Sequence, residues 1–254
     1  HLLCHSRSGG HRLFAAVMDF LKGEIVGFDK PLDWTSFDVV NKFRYALSRR
    51  LSVKKIKVGH AGTLDPKATG VLVLCTGGAT KRIEELQSHT KEYIATLRLG
   101  ATTPSFDLEK PIDATYATDH ITREMVEQVL TAFTGEIRQV PPTFSACKVD
   151  GKRAYDLARR GKDVELEARP IVISEMELLD CQLPDMIRIR CVCSKGTYMR
   201  ALARDIGEAL QSGAHLIELQ RTRSGDMTLD RCITPDQIGD FLDRALGATH
   251  STRI

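Results

Sequence analysis

The chain has 254 residues, a formal net charge of +3 and 42% hydrophobic residues, enough for one large or two small domains at about 100–200 residues each. No apolar stretch approaches the ~20 residues of a membrane-crossing helix. The cysteine count of 7 is odd and includes no Cys-x-x-Cys pair, which argues against a disulfide framework and a zinc site and suits a reducing cytosol.

Residues 1–17 read as foreign to the fold. The chain starts with His1, carries His5, Arg7, His11 and Arg12 around Gly9-Gly10, and its apolar patch Leu13–Val17 is too short for a signal peptide. Met18 is the expected natural start, with 1–17 a disordered upstream segment and 18–254 one domain. Glu24–Phe28 reads as a short strand leading into Asp29-Lys30-Pro31-Leu32-Asp33-Trp34-Thr35-Ser36. Ser36 is the expected N-cap of a helix whose apolar positions Val39, Val40, Phe43 and Leu47 recur at helical spacing, with its basic residues on the other side. Val71–Cys75 reads as a buried strand ended by Gly77-Gly78, and Thr80–Gln87 as a short helix. Lys91–Leu99 alternates as a strand with Tyr93, Ala95, Leu97 and Leu99 on one side. A loop over Gly100–Asp113 precedes an amphipathic helix over Thr122–Phe133. Pro141–Gly161 reads as irregular and rich in cations. Strands are expected over Ile171–Leu179, Met186–Cys193 and His215–Arg221, and helices over Tyr198–Leu210 and Pro235–Leu246. The mixture lacks regular strand–helix alternation, so the fold class is α+β with one central mixed sheet flanked by helices.

Charge is unevenly distributed. Between Asp38 and Asp65 there is no acid, yet Lys42, Arg44, Arg49, Arg50, Lys54, Lys55 and Lys57 occur. Between Asp185 and Asp205 there is again none, with Arg188, Arg190, Lys195, Arg200 and Arg204 present. A third group, diluted by Asp150 and Asp156, comprises Lys148, Lys152, Arg153, Arg159, Arg160 and Lys162. Such runs favour a polyanionic partner over a set of merely solvated faces.

The segment Gly59-His60-Ala61-Gly62-Thr63-Leu64-Asp65-Pro66-Lys67-Ala68-Thr69-Gly70 places one acid between a glycine-rich turn and a proline, just before an apolar run. Proline biases Asp65 toward extended backbone. No Gly-Lys-Ser/Thr follows at phosphate-loop spacing, and Gly-x-Gly-x-x-Gly is absent. The segment resembles the pattern Gly-His-x-Gly-x-Leu-Asp-Pro-x-Ala-Thr-Gly around the catalytic aspartate of the TruB family of RNA pseudouridine synthases, with Ala61 where Thr is common. Lys30-Pro31 with Thr35-Ser36 is similar to the family's Lys-Pro-x-Gly-x-Thr-Ser, with Asp33 in the glycine's place. Lys91-Glu92-Tyr93, Gly196-Thr197-Tyr198-Met199-Arg200 and Leu219-Gln220-Arg221-Thr222 follow in the family's order, as does the Pro141–Tyr155 stretch, with Phe144 where Tyr is usual.

The resemblance implies a pseudouridine synthase fold and an isomerase that converts uridine to pseudouridine without cofactor or metal. It is to bacterial members that act on position 55 in the T-loop of tRNA. It implies that Asp65, Tyr93 and Arg200 are catalytic, Arg200 pairing with Asp65 to keep it charged, and that Tyr93 stacks on the uracil and can accept the C5 proton late. His60, filling the place of the extruded nucleotide, Tyr198, Leu219 and Lys30 are the further substrate-binding residues it implies. Attack at C1′, attack at C6 and removal of the C2′ proton all remain open to Asp65. The expected partner is the tRNA T-arm, with no membrane, for a cytoplasmic monomer. No PUA domain is expected in the stretch after Pro235. The rivals are a non-catalytic tRNA chaperone using the same basic cleft and a metal-dependent nuclease, for which no paired acidic cluster is visible.

Overall fold

The computed structural model describes residues 17–143 and 166–247, with the backbone of the pairs 148–149 and 152–153. In chain order the strands are β1 (Ile25–Lys30), β2 (Val58–Ala61), β3 (Ala68–Thr76), β4 (Lys91–Leu99), β5 (Ala101–Thr102), β6 (Ala114–Thr115), β7 (Gly135–Gln139), β8 (Lys148–Val149), β9 (Lys152–Arg153), β10 (Arg169–Gln182), β11 (Met186–Cys193), β12 (Ala214–Ser224) and β13 (Met227–Thr228). The α-helices are α1 (Ser36–Leu51), α2 (Ile83–Gln87), α3 (Arg123–Ala132), α4 (Met199–Ala209) and α5 (Ile238–Leu246). They fall into two compact units, one of residues up to 66, 70–87 and from 227 onward, the other of 67–69 and 88–226.

In the first unit β3 is sandwiched between edges. β1 runs antiparallel to it from Ile25 opposite Cys75 to Lys30 opposite Gly70, and β2 pairs its other edge from Val58 opposite Thr76 to Ala61 opposite Val73. This explains an unbroken apolar run rather than an alternating one: Val71, Leu72, Val73, Leu74 and Cys75 are all buried. Ala61, Val71 and Val73 form a small core against Ile25, Ile83, Leu86, Met227, Leu229 and Cys232. An isolated parallel bridge, outside the named strands, joins Phe28 to Ile233. Helix α1 turns Val39, Val40, Phe43 and Leu47 inward. Phe43 meets Phe28 and Phe20 edge-on, with ring centroids 5.0 and 6.0 Å apart.

The start of α1 corrects one expectation. Thr35, not Ser36, is the N-cap: its hydroxyl accepts from the Asp38 amide at 3.0 Å, and the Asp38 carboxylate accepts from the Thr35 amide at 2.8 Å. This reciprocal box satisfies the helix start and leaves the Ser36 hydroxyl free to turn inward. Asp33 adopts φ 66°, the left-handed conformation that its substitution for glycine requires.

In the second unit the strand order is β12-β4-β11-β10-β7, every ladder antiparallel. β4 lies between two neighbours, and the expected stripe Tyr93, Ala95, Leu97 and Leu99 is buried. α4 buries Leu202, Ala203 and Ile206 along with its first turn. Of the thirteen described strands seven were not foreseen, five of them only two residues long. β2 is hidden in a glycine-rich stretch, and β7 is an edge strand whose apolar content is too thin to signal. β10 extends well past the expected Ile171–Leu179, with register shifts along its ladder to β11.

The expectation of disorder over 1–17, apart from Val17, lies outside the described residues, as does most of the irregular Pro141–Gly161 segment. Among the described residues, no helix is long and apolar enough to cross a membrane. Cys75 and Cys191 are buried free thiols, as expected from their apolar runs.

Candidate active site

Lys30, His60 and Asp65 belong to the first unit; Tyr93, Tyr198, Arg200 and Leu219 belong to the second. Each group is built by its own local architecture.

Asp65 is half-buried in the connection from β2 to β3. Gly62 and Gly70 bracket that connection at φ 99° and 104°, a region that disfavours side chains. The residues on either side of Asp65 are both anchored to the segment that runs from the end of β1 to the start of α1. On one side, the Ser36 hydroxyl donates to the Leu64 carbonyl at 3.1 Å and accepts from the Leu64 amide at 2.9 Å. On the other, the Pro66 carbonyl accepts from the Asp33 amide at 2.8 Å and from Lys30 Nζ at 3.4 Å. The acid therefore stands on a backbone held before and after it.

Lys30 is the centre of that anchorage. It is fully buried, and its ammonium also donates to the carbonyls of Pro31 and Trp34 at 2.8 and 2.6 Å. Burial lowers its pKa to about 8, against the pull of Asp65, Asp33 and Asp38, which favour the charged form. The resemblance implied a substrate contact for Lys30; its side chain points into the protein, where it organises the loop that carries Asp65. His60 lies on β2 opposite Leu74, on the strand that delivers the same loop.

Tyr93 sits mid-sheet on β4, opposite Cys191 of β11 and Arg221 of β12. Only 8% of it is exposed. Arg221 Nη1 donates to the Tyr93 hydroxyl at 3.4 Å. Burial pushes the phenol pKa up, with Arg221 opposing the rise. The phenol is therefore protonated at neutral pH. Lys91, two residues earlier on the same face, is buried, donates to the His89 carbonyl at 2.6 Å, and has its pKa lowered to about 8 by burial and by Arg221.

Arg200 lies in the first turn of α4, is 7% exposed and donates from Nη1 to the Ser105 carbonyl at 3.3 Å. Ser105 belongs to a tight polar loop: its hydroxyl bonds the Asp107 carboxylate, which also accepts from the Glu109 amide at 3.0 Å, while Thr103 Oγ1 donates to the Asp107 carbonyl at 2.7 Å. Tyr198 occupies the N-cap position of α4. Gln139 holds its peptide from both sides, accepting from the Tyr198 amide at 2.9 Å and donating to its carbonyl at 3.2 Å. Leu219, on β12 opposite Ala95, offers its carbonyl to Thr69 Oγ1 at 3.5 Å.

Sequence reasoning passed over Arg221, Gln139 and Ser36 as site-building residues. Arg221 had a signal, since it stands inside the quoted Leu219–Thr222 motif; a guanidinium only 2% exposed is costly to bury without a task. Gln139 had none, because its role depends on which strand faces the start of α4.

Comparison with known proteins follows the same lines. Residues 49–199 match the model of the TruB family pseudouridylate synthase N-terminal domain, and residues 200–248 that of the tRNA pseudouridylate synthase B C-terminal domain. The chain is 70% identical over 227 residues to the tRNA pseudouridine synthase B of Parabacteroides distasonis, covering 89% of this chain and 96% of that one. It is 50% identical over 216 residues to the enzyme of that name from Flavobacterium johnsoniae, covering 85% and 94%. Among solved structures, a Cbf5-Nop10-Gar1 complex matches with TM-score 0.65 and 30% identity, over 88% of this chain and 56% of that longer one.

Proposed function

The chain belongs to the TruB family of pseudouridylate synthases, and from that premise we propose that it isomerises uridine to pseudouridine in tRNA, at position 55 of the T-loop, as a cytoplasmic monomer. The observation that carries the reading is the double anchorage of the Asp65 loop through Ser36 and Lys30. A carboxylate that must meet one atom of a nucleoside needs a backbone that does not wander.

The reaction breaks the C1′–N1 bond, turns the base, joins C5 to C1′ and releases the C5 proton, while N1 gains one. It balances without an oxidant or an imported group. Asp65 supplies the ionised carboxylate, by attack at C1′ or C6 or by removal of the C2′ proton. Arg200 serves as its charge partner, because desolvation at a closed site favours the neutral acid and a neighbouring cation opposes it. Tyr93 stacks on the uracil. Its raised pKa fits a platform that keeps its proton and leaves the C5 proton to another base. Tyr198 and Leu219 line the pocket. His60 occupies the stack vacated by the flipped nucleotide, offsetting part of the few kcal/mol that extrusion costs. Lys30 acts on the substrate through the loop it holds.

The test is product identity. A synthetic T-arm hairpin incubated with the protein, then digested to nucleosides, yields pseudouridine at the target position. Unchanged uridine in the digest, with the hairpin bound, overturns the reading.

A further inference from the structure

Helix α1 turns one side inward and leaves the other without a described partner element. On that outer side Phe37, Asn41, Tyr45 and Arg49 recur at a spacing of four, which stacks them along one stripe. Phe37 and Tyr45 are 59% and 64% exposed. The aromatic rings are paired with cations. Arg49 donates to the Tyr45 hydroxyl at 3.0 Å and its guanidinium carbon lies 5.6 Å from the ring centroid. Lys42 Nζ lies 5.5 Å from the centroid of Trp34, just before the helix. Lys54, Lys55 and Lys57, all exposed, continue the charge beyond the helix end. Of the acids near this face, Asp38 closes the N-terminal cap, Asp243 pairs with Arg50 at 2.7 Å, and Asp236, which feels the charge of Lys42, accepts from the Thr234 hydroxyl.

We propose that this outer face of α1 is a second RNA-binding surface, holding a stretch of the tRNA substrate outside the T-arm by phosphate contacts to Lys42, Arg49 and the lysines that follow, and by stacking of an unpaired base on Tyr45 or Phe37. The occupant follows from complementarity. Exposed rings interleaved with cations, and no acid between Asp38 and Asp65, form a stacking platform set in a positive field. A protein-binding helix face would carry its apolar residues without that excess of one sign. Distance places the far end of the stripe, Tyr45 and Arg49, away from the reacting nucleoside. Ser36, at the end tied to the Asp65 loop, and Arg49 are separated by about 20 Å at about 1.5 Å per helical residue, far more than one extruded nucleotide spans. The proposal rests on tRNA being the substrate.

The experiment compares full-length tRNA with the isolated T-arm hairpin. Two double variants, Lys42→Gln with Arg49→Gln and Phe37→Ser with Tyr45→Ser, alter exposed side chains only, and thermal unfolding checks that they fold as the parent does. Each is expected to weaken full-length tRNA binding about tenfold, the charge variant also reducing the salt slope by about one per cation removed and the aromatic variant leaving the slope unchanged. Hairpin binding is expected to stay within about twofold of the parent, because the hairpin lacks the phosphates this face contacts. Unaltered tRNA binding in both variants overturns the proposal. So does an equal loss on the hairpin, and so does a parent dimer that these substitutions dissociate, since the face then joins two copies of the chain. If the parent yields no pseudouridine while the variants still lose tRNA affinity, the enzymatic reading fails and this surface stands.

Discussion

The Ser36 hydroxyl holds the Leu64 peptide from both sides, donating to its carbonyl and accepting from its amide at 3.1 and 2.9 Å, one residue before Asp65. Both residues are buried, at 4% and 3% exposure, so water cannot take over either bond. Helix α1 frees this hydroxyl because Thr35 and Asp38 already satisfy the helix start.

Ser36→Ala therefore strands a buried amide and carbonyl, at a cost of about 1–3 kcal/mol. A lowered melting temperature is expected. The loop also loses its upstream anchor, so kcat is expected to fall on the order of tenfold, within the ~100-fold that an ångström of misplacement costs. KM for RNA changes little. Thermal unfolding and steady-state kinetics check both, and an unchanged kcat would separate the anchor from the chemistry.

Arg200→Lys keeps the charge and loses the planar fork that a carboxylate reads. The Ser105 carbonyl, its described partner at 3.3 Å, is fixed within the polar loop and does not follow a shorter reach. Turnover is expected to fall at least about 100-fold with RNA affinity nearly retained. Single-turnover rates beside a binding titration decide it; near-parental rates remove Arg200 from the site.

Tyr93→Phe keeps the ring that stacks and removes the hydroxyl that accepts from Arg221. RNA affinity should persist, and because the buried phenol keeps its proton the chemical step is expected to stay within about tenfold of the parent. Tyr93→Ala should lose affinity. A loss of about 100-fold or more in the Phe variant would show instead that the phenol takes part in proton transfer, since acid–base groups typically contribute about 100–10,000-fold.

The lysines give a pH signature. Folding lowers the Lys30 pKa from 10.5 to about 8 and that of Lys91 from 10.5 to about 8. Between those values the unfolded chain binds protons that the folded one does not, so stability rises with pH across that window and is independent of these groups below it. Lys30→Met should be less stable at neutral pH, because the Pro31 and Trp34 carbonyls lose the ammonium as donor and the Pro66 carbonyl keeps only the Asp33 amide. Its alkaline rise should be smaller, carried by Lys91. Denaturant titrations between neutrality and the unfolded lysine value test this; parallel curves would show that Lys30 does not titrate as its burial demands.

Much of this was legible in the sequence because it rested on local chemistry. The buried run at 71–75, the alternation of 91–99 and the helix at 36–51 each carry their period in their own residues. Asp33 announced a left-handed turn by standing where glycine is usual. What stayed hidden depended on partners distant in the chain. The inward task of the Ser36 hydroxyl turned on Leu64, and the roles of Gln139 and Arg221 turned on strand neighbours that no spacing reveals. Lys30 was visible as a motif residue, but a motif does not say whether an ammonium faces RNA or the protein interior.

The most direct measurement is tritium release from tRNA carrying uridine labelled at C5, run with the parent protein and with Asp65→Asn. The parent is expected to release the label as C5 is joined to C1′, and the variant to bind the same tRNA with near-parental affinity and release none. Sustained release by Asp65→Asn, or none by the parent with tRNA bound, would contradict the account.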